Sequence, residues 1–200
     1  MPSIYQIKPA FQNLLRPLTR TLAANGVTAN QITNAALLLS VLTGLAVAYW
    51  STTPAIFFLV PVVMFLRMAL NAIDGMLARE HNMKTALGTF LNELSDVIAD
   101  VALYLPFALV APLQPVLVVA VVIAAIISEM AGVVAVQVGA SRRYDGPMGK
   151  SDRAFVFGAL ALILALGIPL GNWLNIALSG VLLLLLVTTF NRVRFALKEV

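Results

Sequence analysis

The chain is 200 residues long, 60% apolar and 11% charged, with a mean hydropathy of +0.94, a formal net charge of +4 and no cysteine. This composition excludes an ordinary soluble globule and implies an integral membrane protein; the missing cysteines exclude disulfides, thiolate metal sites and cysteine nucleophiles. The single histidine, His81, excludes a His-rich metal centre, and no basic, aromatic-interleaved soluble surface is left to bind nucleic acid.

Residues 3–24 place Ile4, Ile7, Phe11, Leu14, Leu15, Leu18 and Leu22 at steps of three and four, with Lys8, Arg16 and Arg20 elsewhere. That pattern predicts an amphipathic helix lying on the inner leaflet over residues 1–25, with Pro9 and Pro17 as places where it could break or kink. Its apolar residues form no continuous core and no small-residue cleavage site follows, so it does not read as a secretory signal peptide.

Apolar runs of spanning length follow at 32–50, 55–77, 87–110, 115–140, 154–170 and 173–190. The expected fold is therefore an all-α membrane protein of six transmembrane helices behind the interfacial helix, with residues 1–200 forming one domain without repeats or linkers. The connections at 51–54, 111–114 and 171–172 carry no charge, whereas Lys8, Arg16, Arg20, Arg79, Lys84, Arg142, Arg143, Lys150, Arg153, Arg192, Arg194 and Lys198 fall at the opposite ends. By the positive-inside rule both termini are expected in the cytoplasm, and the net positive charge reads as topology and attraction to anionic headgroups.

The second and third expected spans carry Asn71, Asp74, Asn92, Glu93, Asp96 and Asp100. A carboxylate at the centre of a spanning helix costs roughly 2.5–3.5 kcal/mol on insertion scales, so these groups must face a cavity, a cation or partners rather than acyl chains. Asn71, Asp74 and Ala78 share one helical stripe, Asn92, Asp96 and Asp100 another, with Glu93 on its adjoining edge. The short polar connection at 80–85 makes the two helices antiparallel neighbours whose oxygen-bearing stripes can face each other. Oxygen donors on rigid helices suit a hard cation such as Mg²⁺, Mn²⁺ or Ca²⁺, and Mg²⁺ commonly completes its shell with water and substrate phosphate.

Gly75, Ala78 and Gly88 leave a face without bulk beside the acids, either for close helix packing or for a ligand approaching the backbone. Arg79 at the end of the same helix reads either as a topology determinant or as a guanidinium bridging phosphate oxygens. Arg67 and Glu129, deep in the second and fourth spans, are costly unless paired, either with each other or with a substrate. The connection at 141–153 concentrates Arg142, Arg143, Lys150 and Arg153, which serve a substrate phosphate, an anionic lipid head or simply the positive-inside rule. Within it Gly146, Pro147 and Gly149 set a turn, and Ser151 or Asp152 can cap the following helix.

The segment from Asn71 to Asp96 resembles the signature of the CDP-alcohol phosphatidyltransferases, D-x-x-D-G-x-x-A-R, eight residues, then G-x-x-x-D-x-x-x-D. Asp74, Gly75, Ala78, Arg79, Gly88 and Asp96 match it in identity and spacing, while Asn71 and Asn92 stand where the first and third aspartates belong. Residues 27–33, VTANQIT, resemble the family's Pro-Asn-x-x-Thr segment at the first span, with Ala29 in place of Pro. The chain looks like a bacterial inner-membrane branch of that family.

The resemblance implies transfer of a phosphatidyl or substituted phosphoryl group from a CDP-linked donor, CDP-diacylglycerol by likeness, to an alcohol with release of CMP. It implies Asn71, Asp74, Asn92 and Asp96 as ligands for one or two Mg²⁺ or Mn²⁺ ions, with Asp96 also the general base. Asn30, Thr33, Gly75, Ala78, Arg79, Thr85 and Gly88 would hold the nucleotide, although Asn30 on its own also reads as a helix N-cap. Family members are usually homodimers, and Ala131, Ala135 and Gly139 offer a small-residue stripe for close packing. A catalytically degenerate CDP-lipid-binding protein, suggested by the two asparagines, and a proton or ion transporter are the competing classes. The lack of inverted repeats or broken helices weighs against the transporter.

Overall fold

The computed structural model describes residues 4–168 and 171–200, with side chains from Pro9 onward. Ser3, the side chains of Ile4, Ile7 and Lys8 in the expected interfacial helix, and Leu170 at the end of the fifth expected span lie outside the described residues. Regular structure among the described residues is entirely helical. It comprises α1 (Ile4–Ala24), α2 (Ala29–Tyr49), α3 (Leu59–Glu80), α4 (Ala86–Tyr104), α5 (Pro115–Gln137), α6 (Lys150–Ala165) and α7 (Trp173–Glu199), with single 3-10 segments at Pro54–Phe58 and Leu105–Leu109.

Local chemistry sets the helix ends. Helix α1 runs through Pro9 and Pro17 without a break and stops at Gly26, whose φ of 75° lets its N–H reach the Ala23 carbonyl (3.0 Å) while Val27 N–H reaches Leu22 (3.0 Å). This pair of bonds satisfies carbonyls that the last turn leaves open. The same cap closes α5 at Gly139 (φ 94°), where Gly139 N–H meets Val136 and Ala140 N–H meets Ala135. Gly139 therefore lies beyond the helix and does not continue the small-residue stripe of Ala131 and Ala135. Helix α2 starts three residues before the apolar run because Thr28 and Gln31 cap it reciprocally, Gln31 N–H to Thr28 Oγ1 (3.3 Å) and Thr28 N–H to Gln31 Oε1 (2.9 Å). Thr28, not Asn30, is the cap.

Among the described residues, four helical segments are long and apolar enough to cross a membrane: Ala29–Tyr49, Pro54–Glu80, Pro115–Gln137 and Trp173–Glu199. Helix α4 carries Glu93, Asp96 and Asp100 in its 19 residues, and α6 has 16 residues, about 24 Å of rise against a hydrocarbon core of about 30 Å. Burial is inverted relative to a soluble protein: Arg153 and Arg192 are each 1% exposed, while Leu14 is 75% and Phe155 77% exposed. Apolar exteriors around polar interiors are what lipid selects. The chain is a multi-pass membrane protein.

The helices gather into two compact units. One comprises residues up to Leu42 with Val62–Ala99, the other Thr43–Pro61 with Asp100–Val200. In the first, Ala29 and Ile32 of α2 pack with Ile73 and Leu77 of α3, and Leu15, Leu22 and Ala23 of α1 cover them. Phe11 meets Phe65 edge-on at 6.3 Å, and Arg16 donates to Glu80 at 2.7 Å, fixing α1 along α3. In the second, Tyr104 stacks on Phe157 at 4.1 Å and Phe107 bridges Phe157 and Phe57 at 5.3 and 5.6 Å. Buried Asn175 of α7 accepts from Gln114 N–H (2.9 Å) and donates to the Pro112 carbonyl (3.0 Å), so one amide satisfies the backbone entering α5.

Candidate active site

The signature residues lie in the first unit, on α2, α3, α4 and the turn between the last two. Asp74 is buried, and its Oδ2 accepts from Thr33 Oγ1 on α2 at 2.8 Å; the same hydroxyl also lies 3.1 Å from the Ala29 carbonyl. Asp96 on α4 accepts at Oδ1 from Asn71 Nδ2 (3.2 Å) and from Arg67 Nη2 (3.2 Å), and the same guanidinium nitrogen reaches the Asp96 carbonyl at 2.9 Å. The expected facing of the α3 and α4 stripes is thus realised by Asn71 and Asp96. Arg67, 5% exposed, meets its countercharge on α4, and both groups on Asp96 Oδ1 hold its orientation. Asn92 is exposed and Glu93 half-buried.

A second cluster forms where α2 and α4 begin. Thr85 caps α4, its Oγ1 accepting from Gly88 N–H at 2.8 Å, and Asn30 Nδ2 approaches the same hydroxyl at 3.5 Å. A Cβ on Gly88 would lie 2.8 Å from Asn30 Oδ1 and 3.0 Å from Thr85 Oγ1. Glycine here therefore permits the approach of two polar side chains rather than of two helices. Gly75 plays a comparable part for Arg79, whose Nη2 would stand 2.9 Å from a Cβ at that position; Arg79 itself is exposed. Ala78, by contrast, packs against the cluster of Ala29, Ile32, Ile73 and Leu77, which is the packing alternative of its sequence reading.

Two carboxylates and two carboxamides make up the proposed ligand set, and no group of three His, Cys, Asp or Glu side chains among the described residues could hold a metal. Hard oxygen donors with two carboxylates fit a magnesium-like ion that takes the rest of its shell from water and substrate phosphate, and do not fit a cage made by protein alone.

A different charge cluster organises the second unit. Glu129 of α5 receives three guanidinium groups: Arg142 Nη2 on Oε2 (3.0 Å), Arg153 Nη2 on Oε1 (3.0 Å) and Arg192 Nη1 at 3.2 Å from Oε2. Asp100, offered by its spacing as a further oxygen ligand, accepts from Arg153 Nη2 at 3.0 Å. Arg143 forks onto Asp145 (2.7 and 2.9 Å) and reaches Glu199 at 2.5 Å. Its guanidinium holds the Asp145 carboxyl below the usual aspartate range. Helix α6 is entered through Gly149, whose N–H donates to Asp152 Oδ2 at 2.9 Å, so Asp152 caps from the third helical position and Ser151 lies inside the helix. The loop is strapped to α7 through Met148 N–H on Thr188 Oγ1 (2.9 Å) and Arg192 Nε on the Asp145 carbonyl (3.3 Å).

Sequence reasoning missed the partners of Arg67 and Glu129. It noted that each needed one, but the residues that serve them lie 29 and at least 13 positions away.

A profile of the family described as CDP-alcohol phosphatidyltransferase matches residues 26–190. The chain belongs to the CDP-alcohol phosphatidyltransferase family. It is 48% identical over 195 residues to the inner membrane protein YnbA of Escherichia coli (strain K12), covering 98% of this chain and 96% of that protein. Its fold is similar to that of phosphatidylinositol phosphate synthase PgsA1 of Mycobacterium tuberculosis, solved with CDP-DAG bound (TM-score 0.75, 18% identity, 90% of this chain and 92% of that one). The PgsA1 complex with manganese and citrate is similar too (TM-score 0.76, 19% identity, 92% of this chain and 88% of that one). The phosphatidyltransferase signature thus spans α3 and α4, with its asparagines at positions 71 and 92.

Proposed function

We propose that this phosphatidyltransferase moves the phosphatidyl, or a substituted phosphoryl, group of a CDP-linked donor to an alcohol in phospholipid synthesis, the donor being CDP-diacylglycerol. The observation that carries the reading is that both signature aspartates are held by polar side chains of neighbouring helices, Asp74 by Thr33 and Asp96 by Arg67 and Asn71. Family membership and a PgsA1 neighbour solved with CDP-DAG support it.

Asn30, Thr33, Gly75, Arg79, Thr85 and Gly88 hold the nucleotide end of the donor, with Ala78 packing behind them. Asp74 and Asp96, with amide oxygens of Asn71 and Asn92, hold one Mg²⁺ or Mn²⁺ ion or two. Such an ion supplies charge stabilisation on the diphosphate when bound. Asp96 takes the proton of the acceptor hydroxyl as its oxygen forms a bond to the lipid-bearing phosphorus, the bond to the CMP oxygen breaks, and CMP leaves. Arg67 and Asn71 keep that carboxylate aimed, which favours a reactive geometry over a merely stable one.

In the bacterial inner membrane we read the chain as one six-span domain, α4 and α6 joining the four long apolar segments. Both termini are cytoplasmic, α1 lies on the inner leaflet, and the assembly is a homodimer. The acceptor side is the loop carrying Arg142, Arg143 and Lys150, together with Arg153 at the start of α6. Purified protein given labelled CDP-diacylglycerol, Mg²⁺ or Mn²⁺ and a series of alcohols should release CMP and form a new lipid; failure to bind nucleotide in any divalent metal rejects the proposal. The two carboxamides favour one rival, a degenerate CDP-lipid-binding protein. Conversion of Asn71→Asp and Asn92→Asp raising activity from zero would establish it.

A further inference from the structure

Helix α7 is longer than a membrane crossing requires, and its surplus keeps the pattern of the crossing. Its 27 residues rise about 40 Å, against about 30 Å for a hydrocarbon core and about 40–45 Å once the headgroup layers are counted. Leu183, Leu186, Phe190, Val193 and Leu197 are all exposed and follow one another at steps of three and four, which puts them on a single stripe. The stripe passes the Phe190 end of the apolar run without interruption: Phe190 is 63% exposed and Leu197, about two turns further on, 67%. Its continuity with the lipid-facing surface of the span assigns it to lipid rather than to water.

The opposite face of the same turns is fixed. Leu185, Thr188, Arg192 and Ala196 are buried. Thr188 Oγ1 accepts from Met148 N–H at 2.9 Å, Arg192 Nε reaches the Asp145 carbonyl at 3.3 Å, and Ala196 packs with Ala135 and Ala140. These contacts hold the end of α7 in one rotation, so the exposed stripe is a lasting feature of the surface. Arg194 and Lys198, both exposed, stand one turn apart on one flank of it. The Lys198 ammonium lies 5.6 Å from the centre of the Phe195 ring, within cation–π range. Residues 191–199 contain one carboxylate, Glu199, and it turns to the loop, accepting from Ser141 N–H (3.0 Å), Ser141 Oγ (2.9 Å) and Arg143 Nη1. Cations beside an apolar stripe are the chemistry that an anionic lipid surface recognises.

We propose that the last turns of α7, from Phe190 to Lys198, form a binding surface for anionic phospholipid of the inner leaflet. Phe190, Val193 and Leu197 enter the acyl boundary, and Arg194 and Lys198 meet the headgroup phosphates. The inference rests on the reading of α7 as a span whose basic end is cytoplasmic, and not on the transfer reaction. An apolar stripe alone would also suit a second copy of the chain. The cations favour the leaflet, since pairing the stripe with itself across a two-fold axis would add the same cationic flank rather than an anion.

The chain has no cysteine, so Leu197→Cys gives a unique attachment point for an environment-sensitive fluorophore. In vesicles of phosphatidylcholine and phosphatidylglycerol in equal parts, that label should emit as in an apolar medium and be quenched by phospholipid brominated on its acyl chains. A label that stays water-exposed and unquenched by brominated lipid overturns the proposal. So does self-quenching that grows with protein density in the bilayer, which assigns the stripe to a second copy. The headgroup contacts are tested on the full-length protein in detergent, by calorimetric titration with short-chain phosphatidylglycerol or phosphatidylcholine. Arg194→Gln combined with Lys198→Gln should weaken phosphatidylglycerol binding by about 10- to 30-fold and leave phosphatidylcholine binding as it is. High salt, where the screening length shortens to about 3 Å, should do the same to wild type. A folded double variant that binds phosphatidylglycerol as wild type does overturns the proposal. Should that variant not fold, wild type decides: a salt-sensitive preference for phosphatidylglycerol over phosphatidylcholine supports the proposal, and equal binding of the two lipids overturns it. Neither measurement reads CMP release, so a failure of the transferase reading leaves both in force.

Discussion

Replacing Gly75 by alanine should separate the stability of α3 from its proposed work on the donor. Inside a helix alanine is favoured over glycine by about 1 kcal/mol. The new Cβ would stand 2.9 Å from Nη2 and 3.3 Å from Nη1 of Arg79, the far end of a long, flexible and exposed side chain, so relief requires only a rotamer change costing about 0.5–1 kcal/mol. The two effects roughly offset or leave a small gain, and a gain of 1 kcal/mol corresponds to about 2–4 °C in Tm for a chain of this size. The guanidinium, however, is displaced from the position in which it would meet the diphosphate. Hydrogen bonds to charged groups contribute about 1.5–3 kcal/mol, so CDP affinity should fall by about 10- to 100-fold. Calorimetric titration of CDP in Mn²⁺, paired with thermal unfolding of the same preparation, reads both quantities. A Gly75→Ala protein that melts at or above the wild-type temperature and binds CDP with wild-type affinity would refute the assignment of Arg79 to the phosphates.

Asp96→Asn should lower CMP release by about 10²- to 10⁴-fold, the usual worth of a general base, and a single-turnover rate equal to wild type would remove Asp96 from that role. Thr33→Val deletes the 2.8 Å donor to buried Asp74, at a cost of about 1–3 kcal/mol, visible as a lower Tm together with weaker Mn²⁺ binding; an unchanged Tm would show that the bond does not hold the carboxylate. The Asp145 carboxyl is depressed by Arg143, so its contribution is full above the unfolded aspartate value of about 3.9 and is lost as pH falls through the lower folded value. Thermal unfolding between pH 6 and pH 3 should show this acid limb, and Arg143→Gln should flatten it.

Much of this was written in the sequence because lipid leaves few options. Apolar runs located the long helices, and steps of three and four put Asn71 beside Asp74 and Asn92 beside Asp96. Ends were less legible. Helix α7 continues nine residues past the expected end at Phe190 because Arg192, Arg194 and Lys198 are good helix formers that an apolar window discards. The Thr28–Gln31 cap drew α2 back to Ala29. The pairings were hidden for another reason: Thr33 reaches Asp74 across 41 positions and Arg67 reaches Asp96 across 29, and no periodicity encodes a contact between separate helices. The basic loop at 141–153 read equally as a site for a foreign anion or as a positive-inside loop because Glu129, one carboxylate in a long apolar helix, gave no sign of meeting three arginines.

The two charge clusters, each within its own unit, follow the same electrostatic rule from opposite sides. Four aspartates, as in the full family signature, would carry a charge that two divalent ions cancel. Here Asp74 and Asp96 remain, and Arg67 is paired with Asp96, so this ligand set carries less negative charge than the full signature. On the proposed ligand set, Mn²⁺ titration should show a second ion only when the donor's diphosphate brings further negative charge. Titrations of Mn²⁺ and CDP should then show each raising the affinity of the other by the same factor. Around Glu129 three guanidinium groups instead share one carboxylate.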